Sequence, residues 1–255
     1  MELPVEKWYR AISKRRSCRR YFPQYLPQEL VYQLWHVITK LNETRRSARI
    51  ELLTESPDPV LKGIIGPFGK IKGARAYAAF IGATGDEHVA EETGYLGECF
   101  ILEATANQLA TCWVGGTFKA GAVAGLLKTA PGEEVLAIAT VGFPYLKHPS
   151  GGHNRKPLEK LCTGLPREQW PSWAEAALEA ARLAPSACNR QPWRFTVAKN
   201  SITISLNKPP IGKLSPRLDC GIAMLHLELG ALSRGVRGHW EYLASPEVAR
   251  FTVTD

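Results

Sequence analysis

The sequence predicts an α+β protein in two unequal halves, with a mixed, mostly antiparallel sheet flanked by helices. Segments with apolar residues at helical spacing alternate with short β-branched or alanine-rich runs that suit strands. The succession of helix, strand and long apolar helix occurs twice, and Asp219–Gly235 reads as a second copy of the Gly94–Ala110 helix. Between the copies lie two breaks, Pro149–Pro157 and Thr163–Pro171, which place a boundary near Leu165 and give halves of 1–165 and 166–255. A divergent tandem duplication explains the order; the plainer alternative is that any mixed protein contains several such helices.

The first helix covers Val5–Lys14, with Trp8 and Ile12 on one face, and runs directly into an Arg-rich segment. After Pro23 and Pro27, the apolar residues Leu30, Val31, Leu34, Val37, Ile38 and Leu41 keep a helical period across Gln28–Leu41. Asn42–Glu51 reads as charged and irregular, and Pro57–Gly73 as loop with short helical pieces. Arg75–Ala83 suits a buried strand. Glu91–Ala110 is expected to be a long helix, with Leu96, Phe100, Ile101, Ala104 and Leu109 inward and Glu98 and Glu103 on its wetter side. Cys112–Thr117 follows, then a short helix to Leu127 that ends before Pro131-Gly132. Val135–Tyr145 reads as a central strand. Trp173–Leu183 is helical by its alanine content and is stopped by Pro185. Trp193–Val197 and Ile202–Leu206 form a hairpin that turns at Lys199–Ser201. Asp219–Gly235 is the last long helix, and the second copy ends soon after Trp240.

At 255 residues and 45% hydrophobic, the chain can bury a substantial core. No apolar run approaches the ~20 residues that cross a bilayer, and Met1–Lys7 lacks the pattern of a signal peptide, so a cytoplasmic location is expected. The six cysteines are widely spaced without a C-x-x-C pair, which favours reduced thiols in packing roles, although Cys18 and Cys188 lie inside segments singled out below. The formal charge of +8 would suit nucleic acid or an anionic small molecule. Its concentration at Lys14–Arg20, without a recognition helix or a basic and aromatic strand pattern, points to a phosphate-bearing ligand and away from nucleic acid.

Four segments carry usable chemistry. Arg15, Arg16, Ser17 and Arg19 follow a helix, and guanidinium donates two parallel hydrogen bonds to phosphate; alone, this run equally fits a solvated charge cluster. In Pro185–Trp193, two prolines fix irregular backbone while Ser186, Asn189 and Gln191 supply small polar groups; the alternative is a capped helix end. In Trp113–Gly116, paired glycines let backbone approach a planar ligand, or make a tight turn. Arg155 closes a late basic element with Lys156. The six histidines show no metal-ligand spacing, and no nucleophile elbow, P-loop or dinucleotide fingerprint is present.

Together, the Arg15–Arg19 and Pro185–Trp193 elements resemble the flavin-binding signature of the FMN-dependent nitroreductase family, in its fused, single-chain pseudo-dimer form. The resemblance covers most of the chain and is weakest over Asn42–Gly73. It implies a nitroreductase-like fold and FMN as cofactor. By that resemblance, Arg15 and Ser17 hold phosphate and ribityl with Arg16 as helper, and Arg19 reaches the pyrimidine edge of the ring. Val114, Gly115 and Gly116 offer backbone amides near the reactive nitrogen, with Thr117 beside them. Pro185, Ser186, Ala187, Asn189 and Gln191 cover one ring face. Arg155 grips phosphate, with His153 where relatives carry lysine, a weaker phosphate ligand at neutral pH.

In the family, the two elements of one flavin site come from different subunits of a homodimer and lie about one helix apart in the chain. Here they lie far apart, and each half lacks what the other has, which implies one FMN per chain. The implied activity is an NAD(P)H-dependent oxidoreductase acting on a small aromatic, nitro or quinone-type acceptor, with no catalytic side chain of its own. The alternative is an FMN-binding protein without nicotinamide turnover; a basic nucleic-acid-binding protein on a relict fold is a third reading. The chain is expected to be a monomeric pseudo-dimer or to associate further. Glu43–Lys72 is the expected seat of acceptor selectivity.

Overall fold

The computed structural model describes residues 2–44, 47–63, 69–146, 154–210 and 215–254. The chain forms two compact units, one of Met1–Glu2 with Lys14–Gly151, the other of Leu3–Ser13 with Gly152–Asp255. The break near Leu165 lies inside the second unit, because the short strand Cys162–Gly164 pairs with Trp193–Val197 and commits that stretch to the second sheet.

The first unit contains α2 (Gln28–Asn42), β1 (Ala48–Leu53), β2 (Ala76–Ala83), α3 (Val89–Ala106), β3 (Ala110–Val114), α4 (Ala120–Leu127) and β4 (Glu133–Gly142), numbered after the first helix α1 (Val5–Lys14). Its strands lie in the order β1-β2-β4-β3, every pair antiparallel. β1 alternates buried and half-buried residues, as an edge strand with one dry face should, whereas β2 is buried along almost its whole length. Alanines in β2 and Gly97 in α3 keep that face thin, so the Trp113 and Phe80 rings pack at 4.4 Å between helix and sheet. A side chain at Gly97 would enter the Trp113 ring.

In the second unit come β5 (Cys162–Gly164), α5 (Ser172–Arg182), β6 (Trp193–Val197), β7 (Ser201–Leu206), α6 (Pro216–Leu232), β8 (Gly238–Tyr242) and β9 (Glu247–Val253), together with Leu3–Ser13, which carries all of α1 but its last residue. The order is β5-β6-β7-β9-β8, with only β5 parallel to its neighbour. α5 and α6 meet where Gly230 faces the α5 backbone.

Omitting β5, the second sheet repeats the first. Helix, hairpin, long helix and strand pair follow in the same order, and β6-β7-β9-β8 reproduces β1-β2-β4-β3. Even the irregularity recurs: the register shifts between Phe80 and Ile81 in β2 and between Ile204 and Ser205 in β7, at equivalent rows. The row Leu52, Ala78, Ala139, Trp113 corresponds to Val197, Ile202, Phe251, Trp240.

Several expectations are corrected. Glu98 and Glu103 are buried, not on a wet face, because α3 is enclosed on nearly every side. The long helix ends at Ala106, and Ala110 already belongs to β3. Asn42–Glu51 is not irregular throughout: Ala48 begins β1, whose charged residues Arg49 and Glu51 occupy its wetter face while Ile50 and Leu52 face in. Among the described residues of 57–73 there are turns and isolated bridges but no helix. The second copy continues past Trp240 into β9, with Leu243–Pro246 as a short link in place of the Gly-Gly loop and α4 of the first copy. Among the described residues, no helix is long and apolar enough to cross a membrane.

Candidate functional site

The Arg-rich segment is held as an extra partial strand on the first sheet. Ser17 bridges Thr111 of β3 in parallel, and the Cys18 amide donates to the Thr111 carbonyl at 2.8 Å. Further along, Lys72 donates to Arg19 carbonyl and Tyr21 to Lys72 carbonyl, both at 2.9 Å. The Tyr21 hydroxyl donates to Cys18 carbonyl at 2.8 Å and pairs with Thr140 at 2.8 Å, and burial pushes its pKa well up. Gly73, at φ +82°, lies against the Tyr21 carbonyl where a side chain has no room. Backbone pairing on both sides therefore fixes the directions in which successive side chains leave this segment.

Burial along the segment repeats every third residue. Arg15 is buried, Ser17 exposed, and Arg16 and Arg19 half-buried. Arg15 Nε lies 4.0 Å from Glu98 Oε1 and has no hydrogen-bond partner, although the side chain is only 4% exposed. Burial lowers the Arg15 pKa and Glu98 opposes the shift. Lys14, Arg15 and Arg16 line a cavity of about 190 Å³ together with Gln108, Ala110 and Pro144. Glu98 Oε2 accepts from Trp113 Nε1 at 2.8 Å. That bond anchors β3 one residue before Val114-Gly115-Gly116, where Val114 is buried and Gly116 exposed. Both glycines lie in the bend that follows β3, and neither is among the residues with a left-handed φ.

Pro185–Pro192 forms a wound loop in the second unit. A single 3-10 turn at Ala187–Asn189 contains Cys188 at φ 50°, followed by Asn189 at 55° and, after Arg190, Gln191 at 50°. Three non-glycine residues in left-handed backbone within one loop cost energy and persist only where the surroundings enforce them. The enforcement is visible. Gln191 amide donates to Ser186 Oγ at 2.9 Å, Gln191 Oε1 accepts from Lys156 amide at 2.7 Å, and Gln191 Nε2 donates to Asn189 carbonyl at 3.1 Å. Arg155 Nη1 donates to Asn189 Oδ1 at 2.8 Å, while its Nε donates to Ala184 carbonyl at 3.2 Å. The loop underside rests on Asp219, whose two oxygens accept from Ala187 amide at 3.1 and 3.2 Å. Burial raises the Asp219 pKa to about 7, opposed by the Ala187 hydrogen bond and by Arg190.

Each sequence-predicted residue thus falls into one of two local arrangements. Arg15, Arg16, Ser17, Arg19, Val114, Gly115 and Gly116 share the β3 edge of the first unit. Arg155, Pro185, Ser186, Ala187, Asn189 and Gln191 share one loop of the second, where Arg155 braces the loop through its carbonyls. His153 lies outside the described residues. Sequence reasoning missed the roles of Glu98 and Asp219. Glu98 left one trace, its place beside Gly97 between the apolar residues Leu96 and Phe100. Cys188 is exposed, whereas Cys18 is buried with its pKa raised by burial. Among the described residues, no group of three His, Cys, Asp or Glu side chains converges to hold a metal ion.

Two antiparallel half-folds with this edge segment and this loop define a nitroreductase-like α+β protein. The chain belongs to the family described as "Putative TM nitroreductase", whose profile matches residues 7–231. Its fold is similar to that of "a putative nitroreductase" from Thermotoga maritima MSB8, with a TM-score of 0.68 and 21% identity over 96% of this chain and 93% of the other. Shorter matches include the FMN-dependent nitroreductase NfnB from Mycobacterium smegmatis, in complex with NADPH, at TM-score 0.49 and 16% identity over 64% of this chain and 99% of that one. Another is an FMN-dependent nitroreductase from Clostridium difficile R20291, at TM-score 0.44 and 15% identity over 56% and 90%. No curated protein matches the chain.

Proposed function

We propose that this chain is a cytoplasmic FMN-dependent oxidoreductase that takes hydride from NAD(P)H and passes it to a small aromatic, nitro or quinone-type acceptor. The observation that carries the reading is Arg15: a buried guanidinium with an unsatisfied Nε, lining a small cavity with Lys14 and Arg16. A buried donor without a partner costs free energy unless a ligand completes it, and three cations around about 190 Å³ suit a phosphate. The second support is the enforced left-handed loop, since strain of that kind concentrates at ligand sites.

When bound, FMN supplies the hydride and electron chemistry. The chain's own groups then bind and orient. Arg15 and Arg16 meet phosphate, Ser17 the ribityl chain and Arg19 the pyrimidine edge. Backbone amides of Val114–Gly116 approach the reactive side of the ring. Pro185, Ser186, Ala187, Asn189 and Gln191 cover a ring face, and Arg155 keeps that loop in shape while adding positive charge. We propose one FMN per chain, drawn from both sets of residues, in a monomeric pseudo-dimer that can associate further.

The test is to add FMN, desalt, and count flavin per chain from the visible spectrum, then add NADH or NADPH without oxygen. One flavin that bleaches is the expected result. A yellow protein that does not bleach would leave a flavin-binding role without nicotinamide turnover, and a colourless one would end the FMN reading.

A further inference from the structure

We infer that Glu98 is a positioning residue, one carboxylate that sets both the phosphate-binding guanidinium and the glycine loop; the inference rests on the FMN reading above. Glu98 is fully buried in α3 and faces two groups that the site needs. Its Oε2 accepts from Trp113 Nε1 at 2.8 Å, and its Oε1 stands 4.0 Å from Arg15 Nε. The first contact is a hydrogen bond and the second is an attraction of charges without one, so the two respond differently to chemistry at position 98. Gly97 is part of the device, since only a residue without a side chain leaves room for the Trp113 ring beside that carboxylate. Trp113 leads into Val114-Gly115-Gly116, and Arg15 leads into Ser17, which bridges to Thr111 two residues before Trp113.

The second unit carries a bond of the same type for comparison, made by a glutamate at a different helix position. Trp240 Nε1 donates to Glu228 Oε2 at 2.8 Å, and Trp240 occupies the strand row that corresponds to Trp113. There the strand continues into Leu243–Pro246, without a glycine pair. In the correspondence of Asp219–Gly235 with Gly94–Ala110, Glu228 falls at Glu103 and Ala223 at Glu98, so the bond in the second unit is made from another turn of the helix, and it is Glu98 that joins such a bond to the Arg15 segment and the glycine loop. Without the Glu98 charge, a buried Arg15 is uncompensated and turns toward water, away from the cavity.

The experiment compares FMN with riboflavin, which lacks the phosphate, by quenching of flavin fluorescence in the full chain and in Glu98→Ala, Glu98→Gln and Glu228→Gln. Glu98→Ala is expected to weaken FMN at least tenfold and riboflavin less, shrinking the preference for the phosphorylated form. Glu98→Gln keeps an acceptor for Trp113, so riboflavin binding recovers while the phosphate preference stays reduced. Glu228→Gln is expected to leave both within twofold of the parent. If Glu98→Ala fails to fold, the ratio measured on Glu98→Gln decides. An unchanged FMN-to-riboflavin ratio in Glu98→Gln, or an equal loss in Glu228→Gln, would overturn the inference; an unmutated protein that binds no FMN would instead refute the reading beneath it.

Discussion

Asp219 carries a carboxyl whose burial outweighs what its charge gains from the Ala187 amide and Arg190. Only 7% exposed, it accepts two long bonds from the Ala187 amide, and its pKa is raised to about 7. Between pH 4 and 7 the folded chain therefore holds a proton that the unfolded chain has released, and stability falls as pH rises through that window. Above pH 7 the full cost of burying the charge is present, on the order of a few kcal/mol. Asp219→Asn retains an acceptor for Ala187 and removes the charge. Urea unfolding at pH 5 and pH 8 should show the variant gaining on the parent more at the higher pH; an equal difference at both would refute the assignment. The reason Asp219 escaped sequence reading is that its neighbours in the chain, Leu218 and Cys220, say nothing about Ala187, which reaches it only through the fold.

Elements were legible where one face decides the pattern. α2 has its buried residues at Val31, Leu34, Ile38 and Leu41, the spacing of a helix with one dry stripe, and β6 alternates as a half-buried strand should. α3 and α6 are enclosed on nearly every side, so Glu98, Glu103 and Asp219 are buried, and the rule that carboxylates face water misplaced Glu98 and Glu103. β8 and β9 were missed because β8 has no fully buried position and reads as polar. The helix pair α5 and α6 gives a sharp test of packing. A side-chain carbon at Gly230 would lie 2.5 Å from both Ala176 carbonyl oxygen and Ala177 Cα, which are backbone atoms that cannot rotate away. Gly230→Ala should gain the usual helix propensity of alanine, up to about 1 kcal/mol, and still lose net stability by about 2 kcal/mol or more through overpacking. Chemical denaturation would measure it, and a stabilised variant would mean the helices separate freely.

At the scale of the whole chain, duplication explains why the signature is divided. Each half-fold repeats the other's topology, its strand register and its β-bulge. What differs is the cofactor-binding equipment: the first copy has the Arg-rich edge and the glycine loop, the second the left-handed loop. That division was readable from two short motifs, because their residue types are chemically demanding, whereas the shared sheet was not, because alanine-rich and aromatic rows of equivalent position bear no likeness in sequence. If one chain supplies both sets to a single FMN, a defect in one set cannot be repaired by another chain. Arg15→Ala and Asn189→Ala should each bind flavin poorly, and mixing them with time for exchange should restore nothing. Were the site assembled between two chains, random pairing would regenerate roughly a quarter of the parent's flavin, as expected of a symmetric dimer with two sites. Flavin retained after desalting the mixture therefore reads out directly whether the fused chain is its own partner.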